Sequence, residues 1–310
     1  MLYSIYGNCQ ADALSVLLHQ SPKFCRRYQL ARLPACFLIT EDEARDWAAT
    51  HAPEVRLLIT QKLRKGWREG KEVFDTDWLA ARCAPNARRF QWSDMHYAAY
   101  EPHMTYPVTF YRLPPTDYVN LLHLLTFAGG LDWQRLAPFY SDPTLFPQTL
   151  VQAAHERDLA ELARREAGCN VQIAPFIAER WRSERLFLTF NHPGRAVMRH
   201  AANQILAGVN VARPLPETGA HGFDSASGLP LLAAFDAALS APERRGFDGG
   251  FYIGDRTVDA ASYFGQWEAS LTRLGREAAR AELAAQIRND PIKRELLTHA
   301  ARHLGVDLPG

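Results

Sequence analysis

The chain has 310 residues, 47% of them hydrophobic and 22% charged, enough to bury a sizeable core in one large domain or two modest ones. Its 35 Lys plus Arg against 34 Asp plus Glu leave a formal charge of +1, which excludes a global field for nucleic acid or an anionic membrane surface. Five scattered cysteines, Cys9, Cys25, Cys36, Cys83 and Cys169, form no CxxC pair, so neither a disulfide framework nor a metal site is expected. No apolar run reaches the roughly 18 residues that span a bilayer, and no basic segment precedes an apolar stretch at the start. The expectation is a cytoplasmic protein with no transmembrane segment and no nucleic-acid partner.

Residues 2–6, LYSIY, read as a first strand, and residues 9–20 as a helix with Ala11, Leu14, Leu17 and Leu18 on one face. Between them stands Gly7-Asn8-Cys9-Gln10. RYQLARL is a second strand, and TEDEARDWAATHA a helix capped by Thr40, with Glu43 completing a capping box. EVRLLIT, residues 54–60, is apolar enough for a strand buried on both faces, and RRFQW supplies a fourth. From about residue 116 long helical patterns take over. RLFLTFNHPGRAVMRHAANQIL, residues 185–206, then returns to strand, turn and helix, with His192 as N-cap and Pro193 at the first helical position. Residues 209–230 read as a loop, and helices follow to the end, SYFGQWEASLTRLGREAARAELAAQIRN among them.

Strand and helix alternating in this way predict an α/β fold: a parallel sheet with crossover helices, a large helical insertion and a helical C-terminal part. The expected division is an α/β core over residues 1–115, a helical insertion over 116–184, a returning strand and helix over 185–208, and a loop with C-terminal helices over 209–310.

Ligands of an open parallel sheet bind outside the carboxyl ends of its strands. Three predicted strands end there in reactive or polar residues: Asn8, Cys9 and Gln10 after the first, Gln61 and Lys62 after LLIT, and Asn191 and His192 after LFLTF. At a helix N-terminus unpaired N–H groups and the helix dipole favour a thiolate, so the Cys9 pKa is expected below the free value of about 8.5. Cys9 and His192 would then serve as nucleophile and general base. The N–H groups of Cys9 and Gln10, with the Asn8 or Gln10 amide, would hold an oxyanion. A cysteine at such a junction equally suits a small buried hydrophobe, His192 a helix cap, and Gln10 a solvated first turn.

QKLRKGWREGK places Lys62, Arg64, Lys65, Arg68 and Lys71 close together, a run able to bind the phosphates of a nucleotide-bearing cofactor or to form a solvated face. SDMHYAAYEPHMTY, residues 93–106, with Asp94, His96, Tyr97, Tyr100, Glu101, His103 and Tyr106, fits either stacking on a sugar or a packed loop.

GNCQ after the first strand, with TFNHP much later, resembles the WcbI family of capsular polysaccharide biosynthesis proteins, regarded as coenzyme A binding acetyltransferases. The chain resembles, more distantly, esterases whose nucleophile follows strand 1 in a Gly-Asp-Ser turn, with cysteine here in place of serine. The family resemblance implies Cys9 and His192 as catalytic residues with Gln10 assisting; the pattern of residues adds Asn8 to the site and points Lys62, Gln61, Arg64, Lys65 and Arg68 toward the cofactor. It implies acetyl-coenzyme A as donor, a polysaccharide sugar hydroxyl as acceptor, and association with other polysaccharide biosynthesis enzymes. A thiol esterase, or a non-catalytic module binding coenzyme A or a sugar nucleotide, are the alternatives. The family's expected HPDxxY block reads EPHMTY here, with Glu101 where its histidine would stand.

Overall fold

The apolar run Val55–Gln61 forms an inner strand of a four-stranded parallel sheet in a computed structural model that describes residues 1–111, 116–211, 214–217, 229–242, 250–253 and 256–309. The strands are β1 (Leu2–Tyr6), β2 (Gln29–Leu30), β3 (Val55–Gln61) and β4 (Arg88–Trp92), in the order β2-β1-β3-β4, with Ile5 beside Ile59 and Gln61 beside Trp92. Every β3 residue except Arg56 is buried, as a central strand covered on both faces requires.

In chain order the helices are α1 (Cys9–Leu18), α2 (Pro22–Arg27), α3 (Glu41–Thr50), α4 (Thr76–Ala80), α5 (Leu121–Ala128), α6 (Ala137–Ser141), α7 (Gln148–Glu166), α8 (Ala174–Arg180), α9 (Arg195–Gly208), α10 (Ala233–Asp236), α11 (Ala260–Leu274), α12 (Arg276–Ile287) and α13 (Pro291–Leu304). The α/β class with a parallel sheet is as expected. The helix starting at Glu41 carries the predicted capping box, Thr40 N–H donating to Glu43 Oε2 at 2.7 Å and Glu43 N–H to Thr40 Oγ1 at 3.2 Å.

The chain forms two compact units: Met1–Met95 with Glu161–Glu179 and His192–Asp224, and His96–Ala160 with Arg180–Asn191 and Ser225–Gly310. In the first, α1 and α9 pack together. The C-terminal end of α9 is held at the start of β1, where Arg27 Nη1 donates to Val209 O at 2.9 Å and the Met1 amine to Arg27 O at 3.1 Å. Late α1 also points back there, since the Tyr3 hydroxyl meets Ser15 Oγ and His19 Nε2, each at 3.3 Å. Both helices therefore run antiparallel to β1, and their N-terminal ends lie at the carboxyl edge of the sheet. The other core cluster of this unit packs Trp47 of α3 with Val55, Leu58 and Phe74.

Three expectations change. The second strand shortens to two residues, Gln29–Leu30. The chain continues beside β1 only by separate bonds, Ala31 N–H to Tyr3 O at 2.7 Å and Cys36 N–H to Gly7 O at 2.8 Å. The returning strand, reduced to Phe187–Thr189, does not join the parallel sheet. The Arg185 guanidinium takes the Phe187 and Leu188 carbonyls, each at 2.8 Å, which a neighbouring strand would have needed. Finally, the N-cap of α9 is Gly194 rather than His192; His192 and Pro193 stay extended and the helix begins at Arg195. Part of the predicted 209–230 loop lies outside the described residues.

The second unit is built on α5, whose leucines are buried against α11, α12 and α13. Gly275 at φ +86° separates α11 from α12, a turn that a side chain would strain. Arg185 also pairs with Glu101 at 2.7 Å, both buried, so the residue replacing the expected histidine holds an ion pair. Among the described residues no helix is long and apolar enough to cross a membrane, and no His/Cys/Asp/Glu group is disposed to hold a metal.

Candidate functional site

The Gly7-Asn8-Cys9-Gln10 turn is fixed from three directions. Gly7 has no room for a side chain, because a Cβ there would stand 2.8 Å from Trp92 Cζ2 and 2.9 Å from Gln61 Cβ. Asn8 caps α1, accepting the Gln10 N–H on Oδ1 at 3.0 Å, and its own N–H donates to Gln61 Oε1 at 2.8 Å. The Ala11 N–H goes to Asn8 O at 2.9 Å. The Asn8, Gln10 and Ala11 N–H groups are thus each committed within the turn or to Gln61, whereas the Cys9 N–H lies beside its own sulfur.

Gln10 is fully buried, and both ends of its amide are taken by one residue: Nε2 donates to Met95 O and Oε1 accepts the Met95 N–H, each at 3.1 Å. Its side chain therefore clamps the Met95 backbone, and its N–H is committed to Asn8. Asn8 Nδ2 likewise donates to Asp94 Oδ1 at 3.2 Å. Gln61, expected toward the cofactor, is buried and belongs to the turn, its Nε2 donating to Asp94 Oδ1 at 3.4 Å.

Asp94, which the sequence placed only in a sugar-stacking segment, stands two residues past β4 at the same carboxyl edge. The signal was available, since it follows the fourth strand as Cys9 follows the first. Of the same segment, Tyr97, Tyr100 and His103 are buried. Tyr97 is bonded to His155 Nδ1 at 2.7 Å and Tyr100 donates to Trp181 O at 3.0 Å, so these rings pack the second unit.

Cys9 is half-buried. Burial pushes its thiol up and the Asp94 carboxylate adds to this, while the N–H groups of Cys9 and Gln10 act in the opposite direction. The helix-end effect has the expected sign but loses to desolvation and a like charge, so the expected depressed pKa is corrected. Cys36, whose backbone bonds Gly7, is buried, and burial with the Asp94 charge raises its thiol to about 12. His192 is half-buried, and burial lowers its pKa, favouring neutral imidazole. His192 precedes α9 by three residues, and Cys9 begins α1; the parallel packing of those helices puts both segments at one sheet edge.

The basic run divides. Lys62 Nζ donates to Ala167 O at 2.6 Å and Arg165 O at 3.3 Å, capping the end of α7. Arg68 donates to Ile39 O at 2.5 Å and Cys36 O at 3.1 Å and lies over the Phe74 ring. Lys71 pairs with Glu41 and Glu69, each at 3.1 Å. Arg64 and Lys65 are exposed, Lys65 reaching Glu72 only at 3.9 Å.

The family described as polysaccharide biosynthesis enzyme WcbI matches residues 2–214. A solved structure described as WcbI, a novel polysaccharide biosynthesis enzyme, in a native form without a disulfide bond between coenzyme A and a cysteine, superposes with a TM-score of 0.85 at 22% identity, covering 96% of this chain and 98% of that one. No curated protein matches.

Proposed function

The chain belongs to the WcbI family of polysaccharide biosynthesis enzymes, and on that premise we propose that it is an acyltransferase, moving an acetyl group from coenzyme A to a hydroxyl of a capsular polysaccharide sugar. The observation that carries the reading is the turn itself: a half-buried cysteine opens a helix, with the Asn8, Gln10 and Ala11 N–H groups bonded around it and its own N–H beside its sulfur. In this reading Cys9 is the nucleophile, its N–H meets the carbonyl oxygen as charge develops, and His192 takes the thiol proton and returns it to the leaving group. The protonation states support it, because a raised Cys9 is a thiol and a lowered His192 is a neutral imidazole able to accept.

Coenzyme A supplies the acyl group as a thioester. The residues fit it in kind: Arg64 and Lys65 are exposed cations on the loop that follows β3, suited to phosphates. Lys62 and Arg68, spent on carbonyls, add charge rather than contacts. The similar WcbI structure is a native form without a disulfide bond between coenzyme A and a cysteine, which supports coenzyme A as the cofactor here. In this reading the protein works in the cytoplasm, where that donor is made, alongside the enzymes that build the acceptor glycan.

The test is incubation with acetyl-coenzyme A, first alone and then with candidate glycans, following free thiol and acetylated glycan by mass spectrometry. Acetylated glycan is the expected result. Release of coenzyme A at the same rate without glycan makes the protein a thiol esterase, and binding without release makes it a coenzyme A binding module.

A further inference from the structure

Resting on the acyltransferase reading, we propose that Asp94 is a further catalytic residue of this site, the acceptor of the proton that the sugar hydroxyl loses as it takes the acyl group. Its carboxylate is anchored on one side only. Oδ1 accepts from Asn8 Nδ2 at 3.2 Å and Gln61 Nε2 at 3.4 Å, which sets its plane through the turn and the end of β3. Oδ2 accepts no hydrogen bond among the described residues. Arg165, the neighbouring cation, bonds the backbone carbonyl of Asp94 at 2.8 Å and not the carboxylate. Asp94 is half-buried and Oδ2 keeps contact with solvent, so one oxygen is fixed by the turn while the second is open to an incoming hydroxyl.

The electrostatics agree. Burial raises Asp94 above the ordinary carboxylate range, against the lowering effects of the Arg165 charge and the Asn8 hydrogen bond, and a base moved toward neutrality works better at neutral pH. The other titratable groups facing it are the Cys9 and Cys36 thiols, both pushed up by its charge. They stay neutral, and Asp94 is the anion of the cluster. An amine acceptor beside that anion would be held as ammonium, which is no nucleophile; a hydroxyl is not so penalised.

In the step, the acyl group sits on Cys9 as a thioester. The acceptor O–H bond breaks, its proton goes to Asp94 Oδ2, and its oxygen bonds the acyl carbon. The carbon–sulfur bond to Cys9 breaks, and the departing sulfur takes a proton, restoring thiol and carboxylate. One alcohol and one thioester give one ester and one thiol.

Asp94→Asn keeps an oxygen for Asn8 and Gln61 but removes the base. With acetyl-coenzyme A as donor, and methyl glucoside, methyl galactoside and the more acidic trifluoroethanol as acceptors, transfer to the glycosides should fall by roughly 10²–10³-fold. Transfer to trifluoroethanol, which needs less help in losing its proton, should fall by about tenfold or less, and one equivalent of coenzyme A per Cys9 should still be released. Wild-type rates with all acceptors overturn the proposal, as does an equal loss with all of them, which marks a structural role. Should the variant not fold, Asp94→Ser retains an acceptor oxygen for the same comparison. Wild-type protein that transfers to no acceptor overturns the acyltransferase reading and this one with it; a failure confined to the variant leaves the former standing.

Discussion

Replacing Gln10 with alanine separates the two roles a glutamine beside the nucleophile can have. In the structure its amide makes two bonds to Met95, 3.1 Å each, at a residue only 1% exposed. Removing the side chain leaves the Met95 N–H and C=O without those partners, and each buried backbone group so orphaned costs about 1–3 kcal/mol. Water entering the space left by the side chain offsets part of this, so Gln10→Ala should destabilise the first unit by about 2–4 kcal/mol. The assay is the urea midpoint followed by tryptophan fluorescence, paired with hydrogen exchange on a peptide covering residues 92–96. The Met95 amide should be protected in the wild type and exchange quickly in the variant. Stability changed by less than about 1 kcal/mol, together with a large loss of acyl transfer, would refute the clamp and return Gln10 to oxyanion binding.

Alkylation of Cys9 by iodoacetamide should be slow at neutral pH, slower than that of exposed Cys25, and rise with a midpoint above the free-thiol value of about 8.5. Because the Asp94 charge is one cause of the upward shift, Asp94→Asn should move that midpoint down; a wild-type midpoint below 8.5 would contradict the electrostatics of the site. Reversing Arg64 and Lys65 to Glu should weaken coenzyme A binding about tenfold or more at low salt and less at high salt, read by calorimetry. Lys62→Ala, which removes a helix cap, should instead cost about 1 kcal/mol of stability. Gly7→Ala forces a Cβ to within 2.8 Å of Trp92 and 2.9 Å of Gln61 and should destabilise by about 1–3 kcal/mol; a neutral effect on the urea midpoint would mean that the turn is free to shift.

What the sequence made legible was set by local pattern. β1, β3 and the Thr40-capped helix followed from periodicity and a four-residue cap, signals contained within one stretch of chain. The returning strand was misjudged because its fate depends on Arg185, whose side chain folds back onto the carbonyls of Phe187 and Leu188; hydropathy does not record which carbonyls an arginine will claim. Gln10, Gln61, Lys62 and Arg68 looked like ligand contacts because their polar ends face partners far along the chain. Gln10 reaches Met95, Gln61 reaches Asn8, Lys62 reaches Ala167 and Arg68 reaches Ile39. Asp94 was legible by the rule that selected Cys9, applied to a fourth strand end.

The protonation of Cys9 shows how a sound local rule is outweighed by its surroundings. A helix N-terminus favours a thiolate in proportion to the N–H groups it still offers, and here three of those near the turn are already shared with Gln61, Asn8 Oδ1 and Asn8 O. Burial then removes the water that would have stabilised the charge, and Asp94 adds a like charge beside it. In the proposed reading, with His192 as a neutral imidazole base, the thiol loses its proton during attack rather than before it. The resting cysteine is then guarded against adventitious alkylation and oxidation, both of which proceed through the thiolate. Reactivity in such a site is conferred by a bound acyl donor and a base together, so a reagent that needs only a standing thiolate should find Cys9 poorly reactive even where its sulfur is accessible.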